Sequence, residues 1–192
     1  MNDKIFLNKP EILSEIERKS KEISFGMPSD LYIGSFLKTL IVSKPKARVL
    51  ELGTGIGLSL AWMIEGLDKE STLITVDNNT ELTEIAKSYF GGDSRIEVVC
   101  KDAADWIKEY RGNKFDLVFA DAWPGKYSQI EEILDLVKVG GFYVIDDMSE
   151  QPNWPKGHQK KVLELVDYLE QRKDFVITKF NWSTGLILAV KK

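Results

Sequence analysis

Acidic side chains stand at the ends of five short apolar runs in this chain, and a glycine turn follows the first run. Glu51-Leu52-Gly53-Thr54-Gly55-Ile56-Gly57 succeeds Arg48-Val49-Leu50. Asp77 closes the second run, Asp102 follows the third, Asp121 the fourth and Asp146-Asp147 the fifth. Glycines in such a turn take backbone angles closed to other residues and let a ligand approach the main chain. Asp77 falls about twenty residues past Gly57, a spacing at which an acid accepts hydrogen bonds from both hydroxyls of a ribose, and Asn78 beside it joins the candidate ligand contacts. Asp102 precedes Ala103 and Ala104. It either accepts from an adenine amino group, with small neighbours leaving room for the ring, or caps the helix that follows. Trp123 sits in a loop between Asp121 and Pro124-Gly125, where an indole can lie against adenine.

Asp121, Asp146 and Asp147 belong to consecutive runs, whose exits should converge. Carboxylates crowded together repel unless a cation or shared protons offset the charge. Hard oxygen donors suit Mg²⁺ or Ca²⁺, and such an ion could bind a hydroxyl and lower its pKa. The competing readings are that Asp146 or Asp147 caps a loop, or that Asp121 contacts only the cofactor. His158 is the single histidine. It closes a segment, 146–158, rich in proline and tryptophan, of the kind that covers a site. A lone histidine is more often structural, yet a neutral imidazole beside a lid can take a proton at pH 7.

The elements that must position these groups follow from periodicity. Runs 48–52, 72–76, 96–100, 115–120, 142–145, 175–180 and 186–190 read as strands. Between them, Leu60-Ala61-Ile64-Leu67, Leu82-Ile85-Ala86-Tyr89, Ala103-Trp106-Ile107-Tyr110, Ile130-Ile133-Leu134-Val137 and Val162-Leu165-Val166-Leu169 recur at helical spacing. Alternation of this kind gives a parallel sheet with helices on both faces. Only Asn181-Trp182-Ser183-Thr184-Gly185 separates the last two runs, so they should form a hairpin with one strand antiparallel. Ahead of the sheet, Pro10 opens one helix, Gly26-Met27-Pro28 breaks the chain, and Ser29 or Asp30 caps a second helix that Lys44-Pro45-Lys46 stops. The expected organisation is one domain over 1–192, with a helical cap over 1–45 and an α/β core over 46–192.

Composition narrows the partners. The 192 residues are 43% hydrophobic and 29% charged, with a net charge of −4. That balance gives no support to a nucleic-acid partner. No apolar stretch approaches a membrane span, and Met1-Asn2-Asp3-Lys4 lacks a signal-peptide profile. Cys100 is the single cysteine and reads as a buried thiol; a reducing, cytoplasmic setting is expected. The pattern G-x-G-x-G after an acid departs from the G-x-G-x-x-G of dinucleotide enzymes and points to S-adenosylmethionine (SAM) rather than NAD.

With these residues in place, the chain resembles the class I SAM-dependent methyltransferases, and most of all the small catechol- and caffeoyl-CoA-type O-methyltransferases. The resemblance runs from about Ser29 to the end of the chain. The stretch from Val49 to Gly57 looks like the first SAM motif, and Val76-Asp77 like the ribose-binding acid. Phe115 to Asp121 is similar to the motif that ends in the first metal aspartate. Gly140 to Asp147 resembles the motif supplying the other two ligands, with Asp147 where the family usually has Asn. Gly185 to Lys192 looks like the closing strand. The resemblance implies a Rossmann-like three-layer sandwich whose seven-stranded, mostly parallel sheet has an antiparallel last strand. It implies SAM held by Glu51, Gly53, Thr54, Gly55, Gly57, Asp77, Asn78, Asp102, Ala103, Asp121 and Trp123, with Mg²⁺ or Ca²⁺ at Asp121, Asp146 and Asp147. The family's catalytic lysine falls three residues past its first metal aspartate, where this chain has Pro124. Lys126 and His158 are the candidate replacements, and Asp121, Lys126 and His158 make up the expected catalytic set.

The expected reaction is methyl transfer to a hydroxyl oxygen of a small phenolic or catechol-like acceptor, by a protein that could pair as a homodimer. Methylation of a hydroxylated tRNA base, across a rim of Lys156, Lys160 and Lys161, is the rival within enzymes. A SAM-binding regulator without turnover and an NAD-dependent oxidoreductase are the rivals outside that class.

Overall fold

The computed structural model describes residues 8–151 and 154–192. Met1 to Lys4, read above for a leader, and Pro152 and Asn153 of the lid segment lie outside the described residues. Two helices, α1 (Leu13–Glu22) and α2 (Leu31–Val42), lead into an alternating series. It runs β1 (Arg48–Leu52), α3 (Leu58–Gly66), β2 (Thr72–Asp77), α4 (Thr80–Phe90), β3 (Ile96–Cys100), α5 (Ala103–Glu109) and β4 (Phe115–Ala120). It ends with α6 (Ile130–Asp135), β5 (Val137–Ile145), α7 (His158–Gln171), β6 (Phe175–Phe180) and β7 (Leu186–Lys191). Among the described residues no helix is long and apolar enough to cross a membrane.

Period-two alternation along the strands feeds two cores, one on each face of the sheet. Val49, Leu117, Phe119 and Val144 face the layer that holds α1, α2 and α3, with Ile16, Leu37 and Trp62 buried in it. Leu50, Val118, Ala120, Tyr143 and Ile145 face the other layer, against Trp106 of α5, Ile133 of α6 and Leu165 of α7. Side chains that point alternately up and down a pleated strand require two covered faces when both sets are apolar.

The seven strands lie in the order β3-β2-β1-β4-β5-β7-β6. β1 pairs in parallel with β2 on one side and with β4 on the other. The chain therefore builds outward from β1 to one edge, returns, and builds outward on the other side. A crevice opens where the order reverses, beyond the carboxyl ends of β1 and β4, and ligands of open α/β sheets bind there. β7 runs antiparallel to both β5 and β6, as the short link between the last two runs predicts.

Two expectations about local structure need correction. Val137, read as the last turn of a helix, is the first residue of β5. Gly140 takes a φ of +74°, and the pairing with β4 jumps from Phe115↔Val137 to Leu117↔Phe142, so an irregular stretch carried an apolar residue into register with a helical period. Cys100 is exposed rather than buried, because β3 is an edge strand and one of its sides has no sheet neighbour. Of the two proposed caps for α2 it is Asp30 that accepts from the Tyr32 N–H, at 2.6 Å.

Candidate active site

Past Leu52 the chain turns through Gly53, Gly55 and Gly57, whose φ angles are +101°, +51° and +93°. Gly53 matters for space as well as angle. A Cβ there would stand 2.6 Å from the Asp121 carbonyl oxygen, so only glycine lets the turn lie against the exit of β4. The Gly55 N–H donates to Asp77 Oδ2 at 2.9 Å, and Asp77 Oδ1 accepts from the Asn79 N–H at 2.9 Å. The acid at the end of β2 is thereby tied to the turn at the end of β1. The helix after it is capped by Asn79, which accepts from the Leu82 N–H at 3.1 Å, so Asp77 is not spent on capping. Gly57 serves packing: it begins α3, and a Cβ there would meet the Phe90 ring at 2.7 Å.

Glu51 does not reach the ligand side, contrary to expectation. It alternates with Leu50 and Leu52 and points the other way, into the layer that holds α3, where it is fully buried. It accepts from Ser59 Oγ at 2.5 Å and Thr75 Oγ1 at 2.6 Å, and Thr75 Oγ1 in turn lies 2.5 Å from Thr54 Oγ1. Burial pushes the Glu51 carboxyl up to about 8, against the pull of the two hydroxyls. Glu51 is thus a neutral brace that fixes the turn through Thr54. Asp102 departs from the adenine reading in a similar way. Its Oδ1 accepts from the N–H groups of Ala104 (2.8 Å) and Asp105 (3.2 Å), which makes it the N-cap of α5. Ala103 is buried beneath it, and neither residue lines the cavity described next.

A cavity of about 510 Å³ fills the crevice. Gly53, Thr54, Gly55, Asp77 and Asn78 line it. So do Asp121, Trp123, Lys126, Tyr127, Asp146, Asp147, Trp154 and His158. Sequence reasoning missed two parts of the wall. Residues 25–30, of which Gly26-Met27-Pro28 reads only as a break and Ser29 or Asp30 only as a helix cap, form one side, and Thr184 of the β6–β7 turn closes another. A glycine-proline break just ahead of a capped helix and a glycine beside Thr184 were the available signals.

Lys126 reaches the cavity because the loop after β4 folds into a tight turn. The N–H groups of Lys126 and Tyr127 both donate to the Trp123 carbonyl, at 3.1 and 2.9 Å, and the Tyr143 hydroxyl donates to the Gly125 carbonyl. The Lys126 side chain is only 5% exposed. Its Nζ donates to the Asp146 carbonyl oxygen at 2.8 Å and lies 3.6 Å from Asp121 Oδ1. Burial, with Asp146 and Asp147 nearby, raises Asp121 to about 7, while the ammonium pulls it down. Asp146 is raised mainly by burial. Its Oδ1 accepts from the Asp147 N–H at 2.8 Å and from Thr184 Oγ1 at 2.5 Å, and Asp147 takes a left-handed φ of +59°.

These placements bear on the divalent ion. Ca²⁺ takes six to eight oxygens, and Mg²⁺ demands near-octahedral geometry. Among the described residues no group of three or more His, Cys, Asp or Glu is arranged to hold a metal. Asp146 Oδ1 already takes two protein donors, and an ammonium occupies the space beside Asp121. As placed, the three aspartates do not fit the expected ion.

His158 opens α7 and is buried among aromatic rings. Its ring centroid lies 4.4 Å from Trp154, 5.2 Å from Tyr127 and 5.5 Å from Trp123. Nε2 is 3.2 Å from the Tyr127 hydroxyl, and Nδ1 has no partner among the described residues. Burial, then the Lys126 charge, lowers the imidazole below the ordinary histidine range, so it is neutral at pH 7. Trp123 is half exposed and carries the Lys161 ammonium 4.7 Å above its ring.

Fold and crevice together define an α/β protein with a nucleotide-type cleft at the sheet's switch point. The particular family follows from its motifs: the O-methyltransferase family model matches residues 4–191, and the chain belongs to that family. A curated relative from Mycobacterium sp. (strain KMS), assigned by its name to the O-methyltransferases, is 31% identical over 118 residues, 59% of this chain. Another, from Mycolicibacterium vanbaalenii, is 27% identical over 144 residues, 72% of this chain. The chain spans 54% and 63% of the lengths of these two relatives. Among solved structures, the O-methyltransferase TomG from Streptomyces achromogenes, crystallised with SAM, superposes with a TM-score of 0.85 at 23% identity. The match covers 98% of this chain and 93% of that one. The Bacillus cereus O-methyltransferase, crystallised with SAH, gives 0.84 at 21% identity over 98% and 94% of the two chains. These likenesses establish the Rossmann-like fold.

Proposed function

We propose that the protein transfers a methyl group from SAM to a hydroxyl oxygen of a small, planar phenolic acceptor. The observation that carries this reading is one cavity lined both by a glycine turn with its acid, Asp77, and by an acid, an ammonium and an imidazole, Asp121, Lys126 and His158. Its volume is within the range of small-molecule sites. Gly55 opens the main chain to a ligand, and Asp77, held by two backbone N–H groups, keeps its carboxylate ready for ribose hydroxyls. The SAM-bound and SAH-bound relatives support the same choice of donor. When bound, SAM supplies a methyl group on positively charged sulfur.

The chain's own residues then orient and deprotonate the acceptor. Trp123, Tyr127 and Trp154 offer flat apolar faces that receive an aromatic ring. Lys126 and Asp121 meet the hydroxyl end. The acceptor oxygen forms its bond to the methyl carbon as the carbon–sulfur bond breaks, the electron pair stays on sulfur, and the hydroxyl proton goes to neutral His158. Most of the rate comes from placing that oxygen in line behind the carbon, since proximity is worth several kcal/mol in such steps, of order 7–11 at most.

Calorimetric titration with SAH, SAM and NADH, followed by transfer of labelled methyl to catechols and other phenols, tests the reading. SAH should bind in the micromolar range and label should appear on a phenolic oxygen. Binding of NADH with indifference to SAH would end it; SAH binding without transfer to any hydroxyl compound would favour the regulator.

A further inference from the structure

We infer that the Lys126 ammonium is the resident cation of the Asp121–Asp146–Asp147 cluster and holds the acceptor oxygen in place of a divalent ion. This deepens the methyltransferase reading and rests on it for the acceptor. Three observations converge. First, a positive charge, the Lys126 ammonium, already stands between the exits of β4 and β5. It donates to the Asp146 carbonyl at 2.8 Å and stands 3.6 Å from Asp121 Oδ1, on a side chain only 5% exposed. A divalent ion touching both aspartates would be pressed against a buried like charge. Second, one of the oxygens such an ion would use is already engaged. Asp146 Oδ1 takes the Asp147 N–H and the Thr184 hydroxyl.

Third, the lysine is held there by its turn. Gly125 has a φ of +88°, a Cβ on it would strike Leu52 Cδ1 at 2.6 Å, and its carbonyl is fixed by the Tyr143 hydroxyl. The backbone that carries the lysine is therefore fixed by a buried turn, and its side chain is held by burial and by the Asp146 carbonyl. An ammonium carries three N–H donors. One goes to Asp146, one is directed to the Asp121 side, and a third is left for a ligand in the cavity that Lys126 lines. A charge-assisted N–H···O⁻ bond stabilises the deprotonated form of an acceptor hydroxyl, which is the service a Lewis acid performs. Lys126 so placed acts as a fixed charge on the oxygen, and the proton leaves to another group.

The test is uptake of Mn²⁺ by the full-length protein, read from the free-ion electron paramagnetic resonance signal in the presence of SAH and catechol. Methyl transfer is measured in parallel with EDTA and with added Mg²⁺. The wild type should leave the Mn²⁺ signal undiminished, and its turnover should change less than twofold with EDTA or Mg²⁺. Lys126→Arg, which keeps the charge, should behave likewise toward Mn²⁺. Lys126→Met, which removes the ammonium beside Asp121, should take up more Mn²⁺ than the wild type. Stoichiometric Mn²⁺ uptake by the wild type, lost in Asp146→Asn, would overturn the inference, as would turnover abolished by EDTA and restored by Mg²⁺. The wild-type titration decides the question even if Lys126→Met does not fold. Should SAH fail to bind at all, the methyltransferase reading falls, while Mn²⁺ uptake still reports on the cation.

Discussion

Gly53 and Asp121 meet so closely that a single added methyl group would not fit between them: a Cβ on Gly53 would stand 2.6 Å from the Asp121 carbonyl oxygen. The ligand turn of β1 and the acid of β4 are therefore set by one contact. Gly53→Ala should cost about 1–2 kcal/mol for the left-handed angle alone and more for the clash. Because relief means pushing the two strand exits apart, SAH affinity should fall by roughly tenfold or more, about 1.4 kcal/mol. Urea denaturation and calorimetry on the same variant check both, and an affinity equal to wild type would show that the exits move independently.

Asp77 offers its two oxygens to Gly55 and Asn79, so it shapes the turn as well as facing the cavity. Asp77→Ala leaves two backbone donors without this acceptor and removes the proposed ribose contact. SAH binding should weaken by about 10- to 100-fold, the effect of losing one or two hydrogen bonds to a charged group. Asp77→Asn, which keeps an oxygen but loses the charge, should lie between. Equal affinities across the three proteins would mean that the nucleoside sits elsewhere.

The brace at Glu51 makes stability depend on pH. Its folded-state value, about 8, lies above the ordinary 4.5, so the native protein keeps a proton that the unfolded chain releases in between. The sign is that stability is fully present below about 4.5 and declines as pH rises toward 8, by about 1.4 kcal/mol per unit at the steepest. Glu51→Gln, neutral at every pH, should flatten that decline in urea melts at pH 5, 7 and 9. Parallel curves for the two proteins would show the carboxyl ionised in the fold. Glu51→Leu should lose about 1–3 kcal/mol for each hydroxyl left unpaired.

His158 faces Lys126, Lys161, Tyr127 and Asp147, and burial with the two ammonium groups outweighs the carboxylate. In the proposed reaction its neutral form takes the proton, so kcat/KM should hold near pH 7 and fall as pH drops through a value below 6.5. His158→Gln should lose about 10²-fold or more in kcat/KM together with that acid limb. A limb that survives in the variant would transfer the role to Asp121, the other group near neutrality.

Much of this was written in the chain in readable form, and what was not has physical causes. Most strand limits and the reversed β7 came directly from runs of branched residues and a five-residue link; the start of β5, hidden by the irregular stretch at Gly140, did not. The order of acids and glycines at strand exits gave the crevice before any coordinates. Direction, by contrast, is invisible to type and spacing. Glu51 and Asp77 look alike as acids after strands, yet the pleat sends one into the α3 layer and the other to the ligand. Asp102 offered two uses for one carboxylate, and the backbone N–H groups of α5, always present at a helix start, claimed it. Lys126 was legible as a charge near the site. That its turn drives it in among the aspartates depended on Gly125 and on a tyrosine sixteen residues beyond Tyr127, which no local pattern connects.

The β6–β7 turn fastens two distant stretches. Ser183 Oγ donates to Asp30 Oδ2 at 2.6 Å, Thr184 Oγ1 to Asp146 Oδ1 at 2.5 Å, and the Ser149 N–H to the Thr184 carbonyl at 2.7 Å. A chain emerging from the ribosome completes β1 to β5, with the glycine bend and its acid, long before this clasp exists. The cavity wall at Asp30 and the carboxylate of Asp146 thus take their final places only once the closing hairpin has formed.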